Sequence, residues 1–179
     1  ADAAADAEAA ARAGAHYALV YDMGATATTA TLVQVRAANE TVGKFAKTTV
    51  SVDVIDVRGV AWDATLGGTS FDVRLANHLA DHLLNEHERR VDVRADARAW
   101  ARLLKAAART KEVLSANTRY TVQIEGLVPD FDFKYDVTRE QFDALCADLH
   151  ERAERVALDA IARAQPVVDK ADKAAAAAA

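Results

Sequence analysis

The chain has 179 residues and a net charge of −5 at neutral pH, and about 43 alanines sit among the 51% of residues that count as hydrophobic. Setting alanine aside leaves roughly 27% large apolar residues, near the lower edge for a packed domain, so the chain fits one domain or two small subdomains. The acidic balance argues against a nucleic-acid binder, no apolar run approaches the ~20 residues of a membrane-spanning helix, and the single cysteine, Cys146, excludes an internal disulfide or a thiolate metal cluster.

Residues 1–15 are alanine with scattered acids, a composition with helix propensity but nothing large to bury, and read as a linker or a frayed helix. They lack an initiator Met and the basic and apolar regions of a signal peptide, so the chain is expected to be cut from something longer. Residues 16–21 form an apolar strand ending in Asp22-Met23-Gly24, and 28–35, rich in Thr and Val, form a second. A turn is expected at Asn39-Glu40-Thr41-Val42-Gly43. It leads to a strand over 48–57, where Val50, Val52, Val54, Ile55 and Val57 alternate with polar residues. The three make an antiparallel meander.

After Gly67-Gly68 the spacing of Phe71, Leu75, Leu79 and Leu83 predicts a helix. A second helix carries Trp100, Leu103, Leu104, Ala107 and Leu114 on one face and ends near Asn117. Residues 118–124 and 131–137 read as strands around a turn holding Gly126 and Pro129. Thr138-Arg139-Glu140-Gln141 has capping-box form and opens a helix through Phe142, Leu145, Cys146, Leu149 and Val156, which Pro166 is expected to end or to follow. The order argues a mixed α/β or α+β fold without internal repeats. The expected organisation is a linker over 1–15, a strand meander over 16–66, a helix and hairpin subdomain with a returning helix over 67–165, and an alanine-rich tail over 166–179.

Two loops carry candidate chemistry. A carboxylate at a strand end, Asp22, followed by Gly24, Ala25, Thr26 and Ala27, can hold a hydrated Mg²⁺ and offer backbone N–H groups to phosphate; an ordinary hairpin fits the same residues. Gly67 and Gly68 allow close approach of a ligand at a helix N-terminus, or simply mark a loop before a helix. No Walker A or Gly-x-Gly-x-x-Gly fingerprint occurs, so any phosphate site is of another type. His78 and His82, with Glu86 and His87 nearby, have two-ligand metal spacing but no third ligand, and a solvated helix face is the better reading. Asn39-Glu40-Thr41 matches the glycosylation sequon, which matters only in a secretory compartment.

Tyr21-Asp22-Met23-Gly24, then Leu66-Gly67-Gly68-Thr69-Ser70-Phe71-Asp72, then the stretch from Leu103 through Lys111-Glu112-Val113-Leu114-Ser115-Ala116-Asn117, occur in the order of the second ATPase lobe of seventy-kilodalton heat-shock chaperones. Ile124-Glu125-Gly126-Leu127, Asp132-Phe133-Lys134 and the run from Val137 to Leu149 resemble the large endoplasmic-reticulum branch, the glucose-regulated, hypoxia up-regulated chaperones. The resemblance covers residues 17–165. It implies lobe II of an actin-like ATPase, a strand meander plus a helical and β-hairpin subdomain. By resemblance Asp22 holds a Mg²⁺-bound water, Gly24, Ala25, Thr26 and Ala27 line the phosphates of ATP or ADP, Gly67 and Gly68 approach the phosphates from the opposite subdomain, and Lys111 and Ser115 face the adenosine.

The same resemblance implies a whole protein that binds ATP, holds unfolded clients and promotes nucleotide exchange on a smaller partner chaperone in the endoplasmic-reticulum lumen. The sequence departs from the usual pattern. Ala25, Thr26 and Ala27 replace a glycine-rich run, Thr29 stands for an aspartate, and Ala108 and Glu112 replace an adenosine-side glutamate and arginine. Because phosphoryl transfer depends on positioning from both sides of a cleft, this chain alone is expected to be inactive, and any hydrolysis belongs to the two-lobe protein. A nucleotide-free protein-binding module on the same fold is the alternative. Another actin-like ATPase such as a sugar kinase fits the insert between Gly68 and Val137 less well.

Overall fold

The computed structural model describes residues 16–43, 47–85, 92–129 and 131–178, with side chains through residue 164. Strands β1 (His16–Met23), β2 (Thr28–Val42) and β3 (Thr48–Asp63) form one sheet in that order. Helix α1 (Gly68–Asn85), a 3₁₀ turn (Val93–Ala95) and helix α2 (Ala97–Ala116) follow, then β4 (Arg119–Val128), β5 (Phe131–Thr138), helix α3 (Arg139–Leu145) and helix α4 (Ala147–Ala178). The architecture is mixed α/β, as the sequence implies. Two compact units divide it: one holds β1 up to Asp22, β2, β3 and the chain from Glu154, the other Met23–Ala27 and Ala64–Ala153.

In the first unit β2 and β3 pair antiparallel from Thr28↔Asp63 to Val42↔Thr48. Residues 39–42, expected in a turn, are therefore strand. Asn39 pairs with Ser51, and the β-formers Thr41 and Val42, opposite Thr49 and Thr48, carry the ladder past the polar pair Asn39-Glu40. Leu32 pairs with Gly59 but Val33 with Val57, so Arg58 is the extra residue of a bulge, and its Nε donates to Gln34 Oε1 at 2.9 Å. Next to the bulge, a Cβ on Gly59 would lie 2.1 Å from the carbonyl oxygen of Ala160, so only glycine admits α4 this closely. Ala30, Ala61, Val156 and Ala160 form the small core here. Part of the alanine excess is thus a helix-on-sheet contact made with short side chains.

The second unit holds the larger core, including Leu66, Leu75, Leu79, Leu103, Leu114, Val122, Phe133 and Val137. Residues of α1 at spacing four, Phe71, Leu75, Leu79 and Leu83, are all buried. Helix α2 starts at the Asp96 cap, whose carboxylate accepts from the amides of Arg98 at 2.8 Å and Ala99 at 3.3 Å, a cap typically worth about 1 kcal/mol. Between β4 and β5 Gly126 has φ 52°, which favours glycine, and its amide donates to Asp132 Oδ1 at 2.5 Å. The capping box predicted at Thr138 and Gln141 is formed.

Two expectations about the last helices are corrected. The helix predicted to run unbroken from Thr138 is interrupted at Cys146, whose amide donates to both Phe142 O and Asp143 O, and whose carbonyl accepts from Leu149 and His150. Leu145 O, released from the helix ladder, accepts instead from Arg74 at 2.9 Å. Pro166 does not stop α4, which continues to Ala178; the alanine-rich flank has the propensity to carry it on despite the missing donor. The linker read over 1–15 lies outside the described residues, as do Glu86 and His87.

Candidate functional site

The loop after β1 closes with the Gly24 amide donating to Ala27 O at 2.9 Å. The start of α1 is fastened onto this loop. Gly68 N donates to Gly24 O at 2.9 Å and Thr69 N to Ala25 O at 2.8 Å. A Cβ on Gly67 would stand 2.5 Å from the Ala25 carbonyl and 2.6 Å from Thr26 N, so the glycine is required by close approach of two backbones. Residues 24–27 and 67–69 are therefore one backbone layer. The helix-start amides are spent inside it, since Gly67 N also donates, at 3.3 Å, to Ser70 Oγ. The amides of Ala25 and Thr26 have no hydrogen-bond partner among the described residues, so the loop offers donors that α1 does not.

Beside this layer opens a cavity of about 520 Å³, with apolar walls from Phe71, Leu114 and Phe142 and with Gly68, Lys111 and Ser115 on its polar side. Lys111 and Ser115 lie one turn apart on α2, which places both on one face. Lys111 Nζ donates to Gly68 O at 3.0 Å and lies 2.7 Å from Asp72 Oδ1. Ser115 Oγ donates to Glu112 O at 2.6 Å. A helix leaves its last carbonyls without internal partners, and here Arg139 supplies them, from Nε to Leu114 O at 2.8 Å and from a guanidinium amino group to Ser115 O at 3.2 Å. The exposed Glu112 pairs with Arg109 at 3.0 Å.

Of the residues singled out in the sequence, Gly24, Ala25, Thr26, Ala27, Gly67, Gly68, Lys111 and Ser115 all lie in the second unit. Asp22, exposed near the end of β1, belongs to the first unit, as does the exposed Asn39 of β2. His78 and His82 are not a solvated face. Both are half-buried against β5, His78 Nε2 3.3 Å from Tyr135 Oη and the His82 ring centroid 4.4 Å from that of Tyr135. No group of three His, Cys, Asp or Glu residues that could hold a metal ion occurs among the described residues.

Sequence reasoning missed Asp72, Arg139 and Arg74. Asp72 and Arg139 stand inside quoted motifs, yet only the fold brings them to Lys111 and to the end of α2. Arg74 straddles the α3–α4 break, donating to both oxygens of Asp148 at 2.7 and 2.8 Å, which holds that carboxyl below its usual range. Burial pushes the Cys146 thiol at the same break up to about 11.

Residues 10–174 match the family model described as Hsp70 protein. The chain belongs to the Hsp70 family. Hypoxia up-regulated protein 1 of Danio rerio is 41% identical over 155 residues, 87% of this chain and 15% of that protein. The human protein of that name is 40% identical over 158 residues, again 87% and 15%. Heat shock 70 kDa protein 17 of Arabidopsis thaliana is 44% identical over 140 residues, 78% of this chain and 16% of that protein. The chain thus spans about one-sixth of the length of these curated relatives. The Hsp70 nucleotide-binding domain has the actin-like ATPase fold and binds ATP or ADP with Mg²⁺, and Hsp70 proteins are chaperones of unfolded proteins. This chain carries part of that domain.

Proposed function

We propose that the chain supplies the second-lobe side of the nucleotide site in a large Hsp70-type chaperone. The fastening of the Gly67-Gly68 junction onto residues 24–27, beside the cavity that Lys111 and Ser115 line, carries this reading. The residues fit the group. The Ala25 and Thr26 amides, without partners among the described residues, are donors suited to phosphate oxygens. When bound, Mg-ATP supplies the phosphoryl group and the cation that neutralises its charge. Ala25 and Thr26 then bind phosphate through backbone amides, with Gly24 and Ala27 closing the loop, Gly67 keeps the backbone layer thin beside Gly68, and Lys111 and Ser115 orient the adenosine end. By the family resemblance, Asp22 would hold Mg²⁺ through a water molecule. The alanines at 25 and 27 and at 108 leave fewer contacts than a glycine-rich loop and an acidic adenosine partner would.

Along the sequence, as distinct from the two compact units, the proposed organisation is a strand meander over 16–66 and a helix and hairpin subdomain with a returning helix over 67–165. The whole protein holds unfolded clients and promotes nucleotide exchange on a smaller Hsp70-type partner in the endoplasmic-reticulum lumen, a reading supported by the resemblance to proteins named for hypoxia up-regulation. Asn39, exposed on β2, is then open to glycosylation. A nucleotide-free protein-binding module is the second reading, favoured by the alanine-substituted loop. Calorimetry of the intact protein separates them. Mg-ATP binding that is lost in Asp22→Ala supports the nucleotide site, and absence of binding in the unaltered protein overturns it.

A further inference from the structure

We infer that Asp72 is a positioning residue, which fixes Lys111 as a charge-neutralised hydrogen-bond donor facing the cavity. The inference rests on the nucleotide reading of that cavity. Asp72 stands in the second turn of α1, its side chain 16% exposed. Its Oδ1 is buried, and the Lys111 ammonium at 2.7 Å lies against it. A lysine otherwise presents a hydrated point charge on a flexible stem. Here one ammonium hydrogen is donated to Gly68 O at 3.0 Å, while Asp72 Oδ1 holds the ammonium as an ion pair that lacks hydrogen-bond geometry.

The charge has consequences as well. An ammonium with a carboxylate against it attracts an anion much less than an isolated one does, and removing one partner of such a pair leaves an uncompensated charge. Lys111 as held here therefore matches a neutral oxygen acceptor at the sugar end of a nucleotide, and the phosphates are left to the amides of Ala25 and Thr26. The apolar walls of Phe71, Leu114 and Phe142 suit the same neutral end. Asp72 touches no ligand in this scheme and acts only through Lys111.

The test is a double-mutant cycle in the intact protein, with Mg-ADP affinity read by calorimetry. Lys111→Met and Asp72→Asn are each expected to weaken binding about tenfold, the scale of a charge-assisted hydrogen bond. With Lys111→Met already present, Asp72→Asn is expected to add less than about twofold, because its route of action is gone. Asp72→Glu, which keeps the charge, is expected to restore affinity to within about threefold and guards against an Asn variant that fails to fold. The same Asp72→Asn loss in both backgrounds, or equal loss for Asn and Glu, overturns the inference and leaves Asp72 a residue of the fold. An unaltered protein that binds no Mg-ADP overturns the nucleotide reading itself; one that binds, with Lys111→Met weaker and Asp72→Asn unchanged, overturns this inference alone.

Discussion

Replacing Gly67 with alanine adds one methyl where two backbones meet. Its Cβ would sit 2.5 Å from the Ala25 carbonyl carbon and oxygen and 2.6 Å from Thr26 N, and none of these atoms is the end of a side chain that could swing away. The loop must move off, and with it go the bonds Gly68 N to Gly24 O and Thr69 N to Ala25 O. Overpacking of this kind costs about 1–3 kcal/mol, and two lost backbone hydrogen bonds add about 1 kcal/mol each. The sum, about 3–5 kcal/mol, falls on residues 24–27 and 67–69. Hydrogen exchange on the intact protein reads it directly: the Gly68 and Thr69 amides are protected in the parent and exchange at least about a hundredfold faster in Gly67→Ala. Gly24→Ala is the control. Its Cβ would meet only Ala27 O at 3.5 Å, an ordinary contact, and its φ is not positive, so protection should hold. Unchanged protection in Gly67→Ala, or equal loss in both variants, would refute the close-approach argument.

In the first unit, Gly59→Ala places a Cβ 2.1 Å from Ala160 O and 3.0 Å from Ala164 N, so it should lower the thermal stability of the intact protein by several degrees and expose Ala160 to exchange. A melting temperature equal to the parent's would show that α4 does not need the glycine. Cys146, pushed from 9.0 to about 11 by burial, should react with iodoacetamide at pH 8 about a hundredfold more slowly than an exposed cysteine. Its raised value also sets a sign for stability. That contribution is whole below about pH 9 and is lost as pH rises toward 11, so alkaline unfolding should be less steep in Cys146→Ala. Fast alkylation of the folded protein at pH 8 would contradict the burial of this thiol.

Most of the elements were legible because large apolar residues recur with a clear period. Phe71, Leu75, Leu79 and Leu83 mark α1, the capping box marks the start of α3, and the alternating valines mark β3. The misreadings have a common cause, in that the deciding contact is distant in sequence. Residues 39–42 look like a turn locally, but pairing with 48–51 holds them extended. The break at Cys146 has no glycine or proline to announce it, and Arg74 supplies the missing partner for Leu145 O. At the candidate site the loops and the residues of α2 could be named from ordered motifs. The partners that fix them could not, because Asp72 and Arg139 reach Lys111 and the α2 terminus only after folding. The alanine content also divides by place: Ala30, Ala61 and Ala160 bring helix and sheet together, whereas Ala25 and Ala27 stand in the loop proposed for phosphate.

The central claim is that residues of this chain touch a nucleotide. Photolysis of the intact protein with 8-azido-ATP and Mg²⁺, followed by peptide mapping, tests it most directly. The account predicts label within residues 109–116, the part of α2 that carries Lys111 and Ser115, and its suppression by excess Mg-ADP. Competed label that falls wholly outside residues 16–164, or no competed label at all, would contradict it.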